Sequence, residues 1–360
     1  MSHADAVAVL RTAEVVVDAA GALRLHLPTS GTTARPRTVV RTLASWADSF
    51  DPFTAASGLT ADDHVLIPSP PRSSLFLYGL AHAAYLGAPA TTLERWSARD
   101  AAEAAKRCSA GHFTPPMLSA LLPRLPDDHR LRTAVVAGAA VPDGLRREAA
   151  AVGVKVVDYY GAAELSFVAI RAPHGVMRAF PSVDVEMRDG VVWVRSPWVS
   201  EGYAAGQVGP FRRDGAWATV GDRAHWGDDG GLVIEGRGDT AIAVGGATVL
   251  AEDVRAALVG LAGVREVGVV GLSAPDLGQV VGAVVVADPV LSVGDLREHA
   301  KAALPATHRP VRYALVDELP LAPSGKLDDV ALRALLLQPV EAIRDHLEVA
   351  DYLDRGEDRP

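Results

Sequence analysis

Residues Thr133 to Asp158, TAVVAGAAVPDGLRREAAAVGVKVVD, read as strand, glycine turn, helix and strand. Thr133 to Ala137 and Val154 to Asp158 are short β-branched runs closed by turn formers, and the alanine-rich stretch Asp143 to Ala151 between them has helical composition. Working outward, His64 to Pro68 (HVLIP) and Val191 to Arg195 (VVWVR) repeat the strand texture, and Ser97 to Lys106 repeats the helical one. Short strands alternating with helices predict an α/β layered sheet, in which ligands bind beyond the carboxyl ends of the strands. The loops at those ends are therefore where functional residues are sought.

After about residue 183 the texture changes to strands with tight turns (EMRDGVVWVRS, GDDGGLVIEGR), which predicts an antiparallel, barrel-like section. From Ala251 a helix (AEDVRAALVGL), strands (REVGVVGL, QVVGAVVVAD), a second helix (SVGDLREHAKAAL) and a strand (RYALVDE) predict a compact α+β unit. The expected organisation is an N-terminal domain over 1–238, a small mobile domain over 239–337 with a hinge near Asp239, and a charged tail over 338–360 whose end frays.

The chain of 360 residues is 49% hydrophobic and 22% charged, the balance of a globular protein with a real core. A net charge of -9 offers no basic field for a phosphate backbone, so nucleic acid is not an expected partner. One cysteine, Cys108, allows no internal disulfide, the N-terminus lacks the pattern of a secretory leader, and no apolar run is long enough for a membrane span. These features predict a cytoplasmic protein.

Four clusters carry candidate chemistry. In Leu27 to Val40 (LPTSGTTARPRTVV), hydroxyls, a glycine and nearby arginines can wrap a polyphosphate, although an ordinary polar turn has the same composition. In Asp158 to Glu164 (DYYGAAE), Tyr160 can stack on a base and Glu164 can hold a divalent cation bound to phosphate; a surface glutamate after a turn is the plainer reading. In Trp217 to Asp239, Asp222 can accept two ribose hydroxyls and Arg237 can pair with ribose or phosphate, while Asp228, Asp229 and Gly230 read as hairpin residues. In Leu319 to Asp328 (LPLAPSGKLD), Lys326 follows a glycine, as a solvated loop lysine also would. Walker, HExxH, complete GxGxxG and GxSxG patterns are absent, which removes the usual signals of zinc hydrolysis, dinucleotide redox and serine hydrolysis.

In this order and spacing the clusters resemble the acyl-adenylate-forming family of acyl-CoA synthetases, luciferases and peptide-synthetase adenylation domains. TSGTTARPR resembles that family's TSGTTGxPK, YYGAAE its YGxTE, TVGD its TGD, EGRGDTAIAVGG its GRxDxxIKxGG, and LPLAPSGKLD its LPxTxSGKxxR. AGAAVPDGL and VVWVRSPWVSEGY look like two weaker motifs between them, and the resemblance covers roughly residues 27 to 335. It implies an ATP-dependent ligase that makes an acyl-adenylate, releases pyrophosphate and passes the acyl group to CoA or to the phosphopantetheine of an acyl carrier protein. By that resemblance Thr29, Ser30, Gly31, Thr32, Thr33 and Arg37 hold the β- and γ-phosphates, and Glu164 ligates Mg²⁺. Tyr160, beside Gly161, lies against adenine with the Gly138 turn opposite. Asp222 takes the ribose, Arg237 supports the ribose and α-phosphate, and Lys326 bridges carboxylate and α-phosphate. Asp239 matches the family's hinge, and Gly245 and Gly246 its thiol tunnel.

Departures from the pattern are equally specific. Family members carry well over a hundred residues before the phosphate loop, which here begins near residue 28; the sheet surface this leaves open suits a homo-oligomer or a partner. Ala34, Arg37, Thr38, Ala163 and Ala243 replace a glycine, a lysine, a glycine, a threonine and a lysine. Ala163 removes a hydroxyl whose bond to a charged phosphate is worth about 1.5 to 3 kcal/mol. Pro70 to Gly79 lacks the aspartate that holds a substrate amine in peptide-synthetase domains, which argues against amino acids. Phe76, Tyr78, Phe113, Phe167, Ala139 and Ala140 suggest an apolar pocket for an aliphatic or aromatic acid, though core packing explains them as well. Two rivals stand beside the ligase: a non-catalytic descendant acting as a subunit or regulator, favoured by the short N-terminus and Ala163, and an enzyme that stops at the adenylate or transfers to an amine, kept open by Ala243.

Overall fold

A computed structural model describes residues 2–19, 22–29, 37–71, 73–173, 175–237, 241–244, 247–274 and 278–338. Ser30, Gly31, Thr32 and Thr33, the hinge Asp239, the pair Gly245 and Gly246, and the tail beyond residue 338 lie outside the described residues, and only the backbone is described at Thr29 and Arg237. Contacts divide the chain into two compact units, Met1–Gly238 with Leu321–Lys326, and Asp239–Pro320 with Leu327–Pro360. Lys326, assigned from sequence to the C-terminal domain, thus counts with the first unit.

The first unit is built on a seven-stranded sheet. Its strands run in the order Arg178–Ala179, Ser166–Arg171, Lys155–Ala162, Thr133–Val136, Ala110–Phe113, Val65–Ile67 and Ala90–Thr92. The last five are parallel and the first two are antiparallel additions. Val65–Ile67 and Ala110–Phe113 are buried along their whole length, the pattern of a parallel sheet covered on both faces; the first is apolar throughout, and the second carries His112. Helices Ser74–Leu86, Ala98–Ala105 and Asp143–Ala151 supply the covering, and Ser97 caps the second by accepting from the Asp100 N–H. Strands Val65–Ile67, Thr133–Val136 and Lys155–Ala162 and helices Ala98–Ala105 and Asp143–Ala151 fall where the apolar runs and alanine-rich stretches put them, whereas strands Ala110–Phe113 and Ser166–Arg171 and helix Ser74–Leu86 are additions.

Two antiparallel sheets complete the unit. One pairs Val16–Ala19, Ala22–Thr29, Arg37–Thr42 and Gly202–Tyr203 in that order; Thr29 stands opposite Arg37, so the phosphate-loop motif spans the two ends of a hairpin pair. The other runs Arg212–Asp214, Trp217–Thr219, Val191–Arg195, Asp222–Trp226, Leu232–Arg237, with Asp184–Arg188 also paired to Val191–Arg195. This is the section expected to be barrel-like. Among the described residues its pairings form an open path, because tight turns specify hairpins but closure requires non-local pairing.

The second unit has a five-stranded sheet, ordered Ala247–Leu250, Ala241–Val244, Gly278–Ala287, Val264–Ala274, with Arg312–Leu315 parallel to Gly278–Ala287. Alternate residues of its strands feed two cores: Val267, Val281, Ala283 and Val285 pack with Leu258 and Leu296, while Val270, Leu272, Val284 and Val286 pack with Leu332 and Leu336. Period-two alternation places each set on its own face. A capping box of Ser292 and Asp295 starts helix Val293–Ala303. No helix among the described residues is long and apolar enough to cross a membrane.

The core of the first unit holds two buried imidazoles. His82 stacks on Tyr78, meets Phe53 edge-on and Phe50 at a tilt, and meets Thr54 Oγ1 at 2.8 Å through Nε2, whereas both ring nitrogens of His112 lack a partner. Burial pulls the pKa of His112 down to about 4, and burial together with the neighbouring His112 pulls that of His82 down to about 3. The unfolded chain therefore binds more protons than the native one below about pH 6.5. Stability is fully present above that value and falls as pH drops toward 4, by up to about 1.4 kcal/mol per pH unit for each histidine. Urea unfolding at pH 7 and pH 5 checks this: wild type loses more stability between the two than His112→Leu does, and equal losses would contradict it.

Candidate active site

A cavity of about 180 Å³ opens at the carboxyl ends of the parallel strands, where the strand order predicts a ligand. Its walls come from segments distant in sequence: Pro28 and Arg37 from the hairpin, Ser73 to Leu75 and Tyr78 from helix Ser74–Leu86, Thr114, Ala137 and Gly138 from strand ends, the Tyr159–Phe167 region, and Ser324 with Lys326. Three cations, Arg37, Arg41 and Lys326, line it against one carboxylate, Glu164. Such a surplus concentrates anions, because a low-dielectric wall screens the charges less than water does.

Glu164 is not a surface residue. It is 7% exposed, and Oε1 accepts a hydrogen bond from Tyr203 Oη at 2.7 Å. Its carbonyl accepts from the Ser200 N–H at 2.8 Å. Burial, and after it the bond to Glu164, raises the pKa of the Tyr203 phenol, so Tyr203 remains a donor.

Arg41 secures the same turn from the other side. It is 1% exposed, on the buried face of strand Arg37–Thr42 with Val39. Its Nε donates to Ser45 Oγ at 2.9 Å and Nη1 to the Ala163 carbonyl at 3.0 Å, and Nη2 donates to the Trp198 carbonyl. Burial lowers its pKa to about 9, opposed by Tyr78 and Glu164, so it remains a cation at neutral pH. Arg41 lies outside the four clusters that carry candidate chemistry in the sequence. A charged residue in phase with the apolar Val39, two positions away on the same strand, was the available signal.

The nucleotide-side candidates meet as well. Tyr160 Oη donates to Asp222 Oδ2 at 2.8 Å, and Asp222 is 7% exposed. Asp222 stands directly opposite Arg237 across the strand pair. Gly161 lines the cavity beside Ala162 and Ala163. Gly138 has φ +94°, which favours glycine, and a Cβ there would stand 3.7 Å from Lys326 Cε. Lys326 is therefore brought to the Gly138 turn, and Ser324 Oγ and Ser73 Oγ, buried without a partner, also border the cavity.

The acid-pocket candidates divide. Tyr78 and Phe167 line the cavity with ring centroids 4.8 Å apart, and Trp46 stands beside Tyr78 at 5.4 Å. Phe76 and Phe113 are fully buried and belong to the hydrophobic core. Ala139 and Ala140 are exposed and absent from the lining. Helix Ser74–Leu86 is apolar nearly all round, so its periodicity did not reveal which aromatic faces the cavity.

The donor set fits ATP and its metal. Orphaned hydroxyls with Arg37 and Lys326 suit phosphates and a carboxylate, and Arg41, its donors engaged within the protein, adds positive charge behind them. Among the described residues no group of three or more histidine, cysteine, aspartate or glutamate side chains can hold a metal, which leaves Glu164 as a single protein carboxylate. That is how Mg²⁺ is commonly held, with substrate phosphates and water completing the shell.

Comparison with known proteins agrees with this geometry. The family model for AMP-binding enzymes matches residues 6–204, and that for the AMP-binding enzyme C-terminal domain matches residues 253–326. An uncharacterized acyl–CoA ligase of Bacillus subtilis, YhfT, is 29% identical over 335 residues, covering 87% of this chain and 68% of its own. A probable 2-succinylbenzoate–CoA ligase of Mycobacterium tuberculosis is 30% identical over 349 residues, 92% of this chain and 88% of its own. Among solved structures, the amide bond synthetase McbA from Marinactinospora thermotolerans shares 27% identity with a TM-score of 0.68 over 84% of this chain and 68% of its own. The O-succinylbenzoate CoA synthetase MenE from Bacillus subtilis, in complex with AMP, has a TM-score of 0.68 at 24% identity over 86% of this chain and 68% of its own, a likeness of fold. The chain belongs to the AMP-binding enzyme family, the adenylate-forming enzymes that include the acyl-CoA ligases.

Replacing Arg41 tests its anchoring role. Arg41→Ala leaves three buried acceptors without their charged donor and lowers stability by at least about 3 kcal/mol, since each such bond is worth about 1.5 to 3 kcal/mol. Arg41→Lys recovers only part, because an ammonium cannot reproduce the planar fork. Urea unfolding measures both, and a loss in Arg41→Ala below about 1 kcal/mol would contradict the assignment.

Proposed function

We propose that the protein is an AMP-forming acid–thiol ligase that activates a small-molecule carboxylic acid with ATP and transfers the acyl group to CoA. The observation that carries this reading is the set of three cations facing one carboxylate around a single cavity, with Lys326 beside the Gly138 turn. In the first half-reaction a carboxylate oxygen bonds to the α-phosphorus, the bond from phosphorus to the bridging oxygen breaks, and pyrophosphate leaves with the electron pair. In the second, the thiol sulfur bonds to the acyl carbon, AMP leaves with the pair from the broken C–O bond, and the thiol proton passes to solvent.

Each residue has a task in this scheme. Lys326 faces charge building on the α-phosphate, and a fixed ammonium in a partly dry site stabilises it without reorganisation. Arg37, with Thr29, Ser30, Gly31, Thr32 and Thr33, holds the β- and γ-phosphates. Tyr160 and Gly161 take the adenine against the Gly138 turn, and Asp222 with Arg237 takes the ribose. Tyr160 and Asp222, already bonded to each other, meet the nucleoside preorganised. Glu164, held by Tyr203 and anchored through Arg41, would hold Mg²⁺, which supplies charge neutralisation on the phosphates. Tyr78, Phe167 and Trp46 form the acid-binding wall. Glu164 is the single carboxylate in the described lining and is engaged by Tyr203, which disfavours an amino acid as substrate because its ammonium would have no partner of its own. Asp239 as hinge and Gly245 with Gly246 as thiol tunnel belong to the same reading, as does loading of an acyl carrier protein in place of CoA. Likeness to an amide bond synthetase and the alanine at position 243 support an amine as the alternative acceptor.

Pyrophosphate release with Mg-ATP over aliphatic, aryl and amino acids, with and without CoA, tests the proposal. Release depends on an aliphatic or aryl acid, rises with CoA, and falls by at least about 100-fold in Lys326→Ala. Release that rises with an amine and not with a thiol would reassign the acceptor. ATP binding with no acid-dependent release would favour a non-catalytic homologue.

A further inference from the structure

The geometry assigns a task to two hydroxyls outside the family's motifs: we propose that Thr114 and Ser69 seat the loop that carries Lys326 and so set the rate of acid activation relative to acyl transfer. The proposal rests on reading Lys326 as the residue that acts at the α-phosphate.

Thr114 follows strand Ala110–Phe113 and is 1% exposed. Its Oγ1 donates to the carbonyl of Gly325, the residue before Lys326, at 2.6 Å. Ser69 follows strand Val65–Ile67, is 2% exposed, and donates through Oγ to the Pro323 carbonyl at 3.0 Å. The two strands are parallel neighbours, so two adjacent strand ends grip carbonyls two residues apart on one loop. Within the loop the Gly325 N–H donates to the Ala322 carbonyl and the Ala322 N–H to the Lys326 carbonyl, both at 2.8 Å, which closes a tight turn.

Shape enforces the same seating. Gly325 has φ +77°, and a Cβ there would stand 2.9 Å from both Met117 Cε and Thr114 Cγ2 and 3.1 Å from Phe76 Cζ. Met117 and Phe76 are fully buried and floor the space beneath Gly325. Phe76, which the sequence reading placed in the acid pocket, serves here as part of that floor. Above it, Thr114 Cγ2 and Lys326 Cε lie 3.6 and 3.7 Å from the position of a Cβ on Gly138. Thr114 therefore touches both the loop and the turn beside which the lysine must work.

Neither hydroxyl needs to touch a reacting atom for this role, so both are positioning residues. Activation of the acid requires the ammonium at the α-phosphate, and a geometry looser by about 1 Å costs rate steeply. Attack of a thiol on a finished adenylate places its new bond at the acyl carbon. Loss of a seating bond should therefore slow the first half-reaction more than the second.

The test compares Thr114→Val, Thr114→Ser and Ser69→Ala with wild type, all in the full chain. Single-turnover pyrophosphate formation with the acid that wild type uses reports the first half-reaction, and thiolysis of a synthetic acyl-adenylate of that acid by CoA reports the second. Hydrogen–deuterium exchange of the peptide spanning Leu319 to Leu327 reports seating directly. In Thr114→Val the ratio of the first rate to the second falls by about tenfold, the factor expected for one net hydrogen bond, and exchange of the peptide rises. Thr114→Ser restores both, and Ser69→Ala shifts both in the same direction as Thr114→Val. Equal slowing of the two half-reactions, or unchanged exchange in Thr114→Val, overturns the proposal. If wild type activates no acid, the ligase reading fails, and the exchange result still decides whether these hydroxyls seat the loop.

Discussion

A guanidinium sealed inside the first unit holds the site together. Arg41 reaches from a hairpin strand to the carbonyl of Ala163, the residue before Glu164, and to that of Trp198, five residues before Tyr203. A buried cation is costly unless its donors are met, and here a hydroxyl and two carbonyls meet them. The charge itself has no ion-pair partner among the described residues and is answered at longer range by Glu164. Fixing the Glu164 turn in this way sets the cavity's one described carboxylate and one of its cations in place.

That arrangement explains how a site assembled from distant segments can be orderly. The parallel strands bring Thr114, Ala137 and the Tyr159–Glu164 region to one edge, and helix Asp143–Ala151 is tied to the same sheet by Arg146, which meets Asp158 at 2.6 Å. Asp158 also pairs with Arg171 at 3.1 Å. These contacts make the strand ends a rigid frame, and rigid frames give functional groups better-defined positions than free loops do.

Much of this was legible in the sequence, for physical reasons. Strands such as Thr133–Val136 and the Val156–Val157 part of Lys155–Ala162 announced themselves because parallel, doubly covered strands are apolar where they are buried. The phosphate-loop, Tyr160–Glu164, Asp222 and Lys326 motifs were legible through their order along the chain, and among the described residues Tyr160 and Asp222 touch, while Glu164, Gly138 and Lys326 share one cavity. What could not be read was orientation and long-range contact. Nothing local distinguishes Tyr78, which faces the cavity, from Phe76, two residues earlier on an apolar helix. Nothing in the spacing around Lys326 shows that its loop packs with the first unit, or that Arg41 points inward to meet carbonyls far along the chain. Barrel closure, likewise, depends on pairings between strands that are not neighbours in sequence.

The central claim is that one cavity holds a nucleotide and an acyl group together. Calorimetric titration of the intact protein with AMP and with a series of alkyl- and aryl-sulfamoyl adenosines, stable mimics of an acyl-adenylate, tests it most directly. At least one mimic is expected to bind about 100-fold or more tighter than AMP, the minimum expected of an intermediate analogue, with selectivity that follows the acyl chain. Equal affinity for AMP and every mimic would contradict it.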